Sequence, residues 1–222
     1  MHPYIKPLEK LFKANADPER APAMSKYMRN LFDFWGIMSP VRKELEKEFI
    51  GEYGLPEIKD LKKIMKDLWA LRQREYQYAG LGIAARTHKE WKQDLIPLFE
   101  YLIKTKSWWD TVDGIAPSLA GKYFLKFGID EEVSDKWINS DNFWFQRSAI
   151  IFQLKFKDKT DEKLLYKYIK KRAGENEFFV RKAIGWALRE HARRNPESVR
   201  KFVAGTPLKP LSIKEALKHI GK

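Results

Sequence analysis

A chain of 222 residues that is 44% hydrophobic and 14% aromatic can bury a sizeable core, which excludes a disordered basic tail. The absence of cysteine excludes a disulfide scaffold, a thiol nucleophile and every Cys-containing zinc site. A formal charge of +13 points to a polyanionic partner, and it is unevenly placed: residues 1–141 hold 23 basic and 22 acidic side chains, residues 142–222 hold 20 and 8.

The opening MHPYIKPLEKLF has no charged stretch leading into an apolar run. Nothing later approaches the roughly 18 uninterrupted apolar residues of a spanning helix, so neither secretion nor membrane insertion is expected. Helical spacing then dominates: EIKDLKKIMKDLWAL (57–71), DLIPLFEYLIKTK (94–106) and DEKLLYKYIKKRA (161–173) each carry apolar residues three and four apart. Strand-like alternation is hard to find. Breaks fall at Asp17-Pro18, Ser39-Pro40, Gly54-Leu55-Pro56, Ser140-Asp141, Asn195-Pro196 and Thr206-Pro207, as between short helices. The fold class expected is all-α.

Some of these helices resemble one another. Aligning the segments around Gln77, Asp113, Arg147 and Arg181 gives spacings of 36, 34 and 34 residues. Each follows another amphipathic helix, so the unit is a helix pair, and stacked pairs of this length form an α-solenoid. The Trp, Leu-Gly and Tyr pattern of a tetratricopeptide repeat is absent, and irregular HEAT-like pairs fit better. The expectation is a single repeat domain over residues 1–222, in which Asp113, Arg147 and Arg181 share one row on a basic concave face.

Two apparent motifs carry no chemistry. Gly80-Leu81-Gly82-Ile83-Ala84-Ala85 matches a dinucleotide fingerprint on paper, but it lies in a helical repeat with no parallel sheet, where its glycines would allow close helix packing. The histidines His2, His88, His191 and His219 show no i, i+4 pairing, so no dedicated metal site is expected.

The stretch SWWDTVD (107–113) is the most unusual. Trp109 and Asp113 are four apart and share a helix face, which sets an indole and a carboxylate on one wall. The same residues could instead be a Trp pair over the core with acids favouring the helix dipole. The stretches DNFWFQR (141–147) and KAIGWALRE (182–190) interleave aromatics with Arg, a pattern suited to stacking on bases or sugars while guanidiniums hold phosphates. Trp186 and Arg189, three apart, can act together. Most of the aromatics belong to the core.

The opening HPYIKPLEKLF, the tract from Tyr27-Met28 to Arg42 and the blocks KTKSWWDTVD, SDNFWFQRSAIIFQLKFK and EFFVRKAIGWALREHA resemble the AlkD family of bacterial alkylpurine DNA glycosylases over nearly the whole chain. The resemblance implies HEAT-like pairs curved around DNA. It implies hydrolysis of the N-glycosidic bond of N3- and N7-alkylated purines such as 3-methyladenine and 7-methylguanine, with no metal or organic cofactor. It also implies a lesion that stays largely stacked or exposed, so that bulky adducts would be admitted. The implied partner is double-stranded DNA containing alkylated bases, in a bacterial cytoplasm, with no membrane and no obligate protein partner. Carried over by resemblance, Trp109, Asp113 and Trp186 match active-site residues, and Tyr27, Arg147 and Arg189 match positions near the DNA; Arg181 joins them through the repeat register. Related solenoids that bind DNA without excision lack the acid, so Asp113 separates the two readings. A scaffold holding an acidic peptide is a third.

Overall fold

The structure, a computed structural model, describes residues 1–218, so His219 lies outside the described residues. The chain divides into two compact units, Met1–Leu98 and Phe99–Lys222. Both are helical, and among the described residues the one extended pairing is an isolated bridge between Asp33 and Gln73. The all-α expectation holds, and among the described residues no helix is long and apolar enough to cross a membrane.

The first unit contains α1 (Ile5–Ala14), α2 (Ala21–Tyr27), α3 (Ser39–Tyr53), α4 (Leu61–Ala70) and α5 (Arg74–Arg86). The spacing in 57–71 becomes a single 3₁₀ turn, Ile58–Asp60, running into α4. The buried face of α4 is Leu61, Ile64, Met65, Leu68 and Trp69, the three-and-four spacing of an amphipathic helix. It packs on α5, while α1 and α5 both pack on α3. Ile5, Leu8 and Phe12 meet Leu45, Phe49, Tyr76 and Ile83 in the core. Gly80 and Gly82 lie inside α5, where a Cβ at Gly80 would stand 3.3 Å from the Leu68 and Trp69 side chains. Close packing, not a phosphate, accounts for that glycine pair.

The division falls within α6 (Ile96–Lys104). Beyond it run α7 (Trp109–Ile115), α8 (Gly121–Phe127), α9 (Glu131–Asn139), α10 (Phe143–Ile151), α11 (Glu162–Lys171), α12 (Phe178–Ala192), α13 (Pro196–Ala204) and α14 (Pro210–Ala216). Side chains at the N-caps start four of these helices: Asp130, Asn142, Asp161 and Glu177 accept main-chain N–H bonds from Val133, Trp144, Leu164 and Phe179. After α7 the chain makes a π turn at Ala116–Ala120, where Pro117 supplies no N–H to an α-helical ladder.

The packing of the second unit follows the repeat. α9 packs on α10, and α7, α10 and α12 pack in succession. Last, α13 and α14 close over α12. The α12 and α14 backbones meet at Gly185, where a Cβ would lie 2.3 Å from the Glu215 Cβ and 3.0 Å from the Ser212 carbonyl oxygen. Only glycine permits that approach.

Candidate active site

The register that aligned Asp113, Arg147 and Arg181 places them on α7, α10 and α12. α7 begins at Trp109, so Trp109 and Asp113 stand one turn apart on it, as their spacing requires. From α10, Arg147 reaches across and grips the acid with two parallel bonds: Nε donates to Asp113 Oδ1 at 2.7 Å and Nη2 to Oδ2 at 2.8 Å. The third nitrogen, Nη1, donates to the Phe179 carbonyl at the start of α12, at 2.5 Å. One guanidinium therefore ties α7, α10 and α12 together. Its Cζ stands 5.9 Å from the centre of the Trp186 ring, within reach of a cation–π attraction.

Burial makes this pair asymmetric. The Arg147 side chain is only 5% exposed, whereas that of Asp113 retains 19%. Burial pushes the Asp113 carboxyl above its ordinary range; the bonds and charge of Arg147 pull the other way, and nearby Asp110 adds to the rise. Each Asp113 oxygen spends one lone pair on Arg147 and has another to give, and the side chain keeps some contact with solvent. A fixed carboxylate with an open edge beside two indoles can stabilise a cation and orient a water.

Beneath the pair lies an aromatic bed. Trp108, in extended backbone before α7, packs on Trp144 and Phe179 with ring centres 5.8 and 5.2 Å away, and Phe143 stacks on Phe179. Of the run Phe143, Trp144 and Phe145, Trp144 is buried and Phe145 packs against Trp137. These rings set the spacing of α7, α10 and α12, as expected of mostly core aromatics. Trp109 and Trp186 remain half-buried.

The other expected residues fare differently. In this structure the Arg147 guanidinium is spent on the Asp113 carboxylate and the Phe179 carbonyl. Arg189 donates through Nη1 to the Glu215 carboxylate at 2.8 Å and to its carbonyl at 3.0 Å. Lys182 meets the same carboxylate at 2.7 Å. The Lys182 bond, opposed by burial and reinforced by Arg189, holds Glu215 below its ordinary range. Arg181 is half-buried; its carbonyl accepts from Ser212 Oγ at 3.1 Å, and its Nε has no hydrogen-bond partner among the described residues. Tyr27 belongs to the first unit, where it ends α2 with 72% of its surface exposed.

Gln77 departs from the expected register. It is fully buried, and its Nε2 donates to the carbonyls of Leu68 and Leu71 ahead of α5. Gln146, not Arg147, does the equivalent work in the second unit by donating to the Ser140 carbonyl six residues earlier. The first repeat is thus offset by one, and Tyr78 is the residue equivalent to Asp113 and Arg147. Sequence reasoning also missed Glu215 and the Phe179 carbonyl. The first lies on a closing helix with no counterpart among the repeats, and the second is main chain, which no side-chain pattern marks.

Comparisons with known proteins show the family and the fold. Residues 8–220 match the family model described as DNA alkylation repair enzyme. The chain is similar to a solved structure described as "Predicted DNA alkylation repair enzyme from Enterococcus faecalis", with 31% identity, coverage of 93% of this chain and 97% of that one, and a TM-score of 0.86. It shares a fold with AlkD2 from Streptococcus mutans (20% identity, 81% and 90% coverage, TM-score 0.61) and with smu.31 from Streptococcus mutans UA159 (18%, 80% and 96%, 0.59). No curated protein matches the chain.

Proposed function

The chain belongs to the DNA alkylation repair enzyme family, and from that premise we propose that it is a DNA glycosylase that releases cationic N3- and N7-alkylated purines from duplex DNA. The observation that carries this reading is the Asp113 carboxylate, buried on one side, gripped by Arg147 and open on the other.

An N3- or N7-alkyl purine already bears a positive charge, so its bond to C1′ breaks with the electron pair leaving on the base, which departs neutral. The sugar becomes oxocarbenium-like. Asp113 stabilises that cation and holds a water whose oxygen adds to C1′ while its proton passes to the carboxylate. Trp109 and Trp186 pack on the sugar and backbone, excluding bulk water and attracting cationic character through their faces. Arg147 keeps the acid ionised and aimed. Tyr27, Arg181 and Arg189 contact the DNA, the last by exchanging Glu215 for a phosphate. Because the open edge of Asp113 faces outward, the base need not enter a deep pocket, and bulky adducts are substrates as well as 3-methyladenine and 7-methylguanine. The working compartment on this reading is the bacterial cytoplasm.

The test is a mass-spectrometric inventory of bases released from alkylated duplex DNA by the parent protein and by Asp113→Asn. The expected result is 7-methylguanine and 3-methyladenine release by the parent, falling about 100- to 1000-fold in the variant, the loss of about 3 to 4 kcal/mol that follows removal of one preorganised group, with DNA affinity retained. No release by the parent overturns the reading in favour of a DNA-binding module that leaves the bond intact.

A further inference from the structure

Two residues at the end of α2 adopt left-handed backbone without being glycine, Arg29 at φ 57° and Asn30 at φ 58°. The N–H of Arg29 bonds the Lys26 carbonyl at 2.9 Å and that of Asn30 bonds the Ser25 carbonyl at 2.8 Å, which closes the helix in a Schellman turn that usually employs glycine. The surroundings hold this strained corner from both sides. Met28, Phe34 and Ile37 are buried, and the Arg74 guanidinium covers the Phe32 ring at 3.7 Å. Gly36, at φ 85°, fits where a Cβ would lie 2.0 Å from the Asp17 carbonyl oxygen.

The fastening comes from Glu75 on α5. This carboxylate has no exposed surface, and both its oxygens accept main-chain N–H bonds from the chain after the corner: Trp35 at 3.1 Å, Gly36 at 3.0 Å and Ile37 at 3.1 Å. A buried ionisable group spent on three main-chain donors makes the segment rigid. Against that rigid base the corner turns large apolar side chains outward, Tyr27 at 72% and Leu31 at 53% exposure. Between Glu19 and Asp33 the charged residues are Arg20, Lys26 and Arg29, all cationic. Exposed apolar side chains beside Lys26 and Arg29, on strained and braced backbone, suit a polyanion with an apolar interior.

We infer that residues 27–31 form a rigid wedge for a groove of duplex DNA, with Leu31 as its apolar contact and Glu75 as the positioning residue that holds it. This rests on the proposed DNA repair reading and adds to it a contact in the first unit. Leu31 packs against sugars and base edges beside Tyr27, while Arg29 meets a phosphate.

The experiment is fluorescence-anisotropy titration of an unmodified duplex across a salt series. Leu31→Ser, a surface change that leaves the core intact, weakens binding about tenfold, as expected for one unburied Leu side chain, and leaves the slope of log affinity against log salt unchanged because no phosphate contact is lost. Arg29→Ala lowers that slope by about one. In a Glu75→Gln background, which sets an amide N–H₂ against the Trp35 N–H, the effect of Leu31→Ser shrinks toward none, a coupling that general destabilisation does not produce. Parent-like affinity for Leu31→Ser overturns the wedge, and an undiminished Leu31→Ser effect in the Glu75→Gln background overturns the role of Glu75. Failure of the parent to release alkylated bases would instead strike the glycosylase reading and leave these titrations interpretable.

Discussion

Arg147 holds Asp113 in a two-bond grip, at 2.7 and 2.8 Å, across residues 34 apart in sequence. A bidentate guanidinium fixes the plane of the carboxylate as well as its charge, and the partly buried setting makes each bond stronger than at a wet surface. It also makes the pair sensitive. If Arg147 is lost, burial of Asp113 goes unopposed.

Arg147→Lys tests that sensitivity. Lysine keeps the charge but forfeits the fork and the bond to the Phe179 carbonyl. Burial already raises the Asp113 carboxyl, and the bonds of Arg147 restrain the rise. Weakening the restraint moves the carboxyl further up, so a smaller fraction is ionised at a given acidic pH. Single-turnover 7-methylguanine release followed against pH is therefore expected to show its acid limb at higher pH in the variant. In the parent the limb is itself expected above the ordinary aspartate range, because burial raises the Asp113 carboxyl.

Gly185→Ala tests the closing helix. The new methyl would meet the Glu215 Cβ and the Ser212 carbonyl, and backbone cannot move aside as a flexible side chain can. Overpacking of this kind costs about 1 to 3 kcal/mol. A thermal melt should show the loss. An unchanged melting temperature would mean that α14 is not seated on α12 in solution.

Glu215 carries a pH-dependent share of stability. Its carboxyl is lowered in the folded chain, chiefly by the Lys182 bond. A depressed folded-state value adds stability that is present above the unfolded value, about 4.3 for glutamate, and is lost as pH falls through the folded one. The parent is expected to melt above Glu215→Gln at pH 7, with the gap closing as pH falls below the unfolded value and through the lowered folded one. A gap independent of pH would point to packing instead.

Arg181 lies half-buried on α12, and its Nε is buried without a hydrogen-bond partner among the described residues. If it meets a phosphate, Arg181→Ala weakens all duplexes alike and reduces the salt slope by about one. Titration of alkylated and unmodified duplexes at several salt concentrations checks both consequences together. An unchanged slope would remove Arg181 from the interface.

Local periodicity determined much of this protein. The windows 57–71, 94–106 and 161–173 are α4, α6 and α11, because the three-and-four spacing of apolar side chains leaves a helix as the one way to bury a continuous face. The 34-residue interval was enough to set Asp113, Arg147 and Arg181 on α7, α10 and α12, since a repeated helix pair returns equivalent positions at a fixed spacing. Only the tertiary structure decided what those residues do to one another. Arg147 could as well have faced a phosphate as an acid, and side-chain reach between neighbouring helices, which no spacing encodes, turned it onto Asp113. The same holds for Glu75 on the main chain of 35–37 and for Glu215 between Lys182 and Arg189: each is a carboxylate of ordinary sequence context whose partners lie about 26 to 40 residues away. The basic excess of residues 142–222 was legible from the start, yet packing determined that some of its cations hold carboxylates. Burying a charge is tolerable only beside an opposite one or against hydrogen-bond donors that satisfy it.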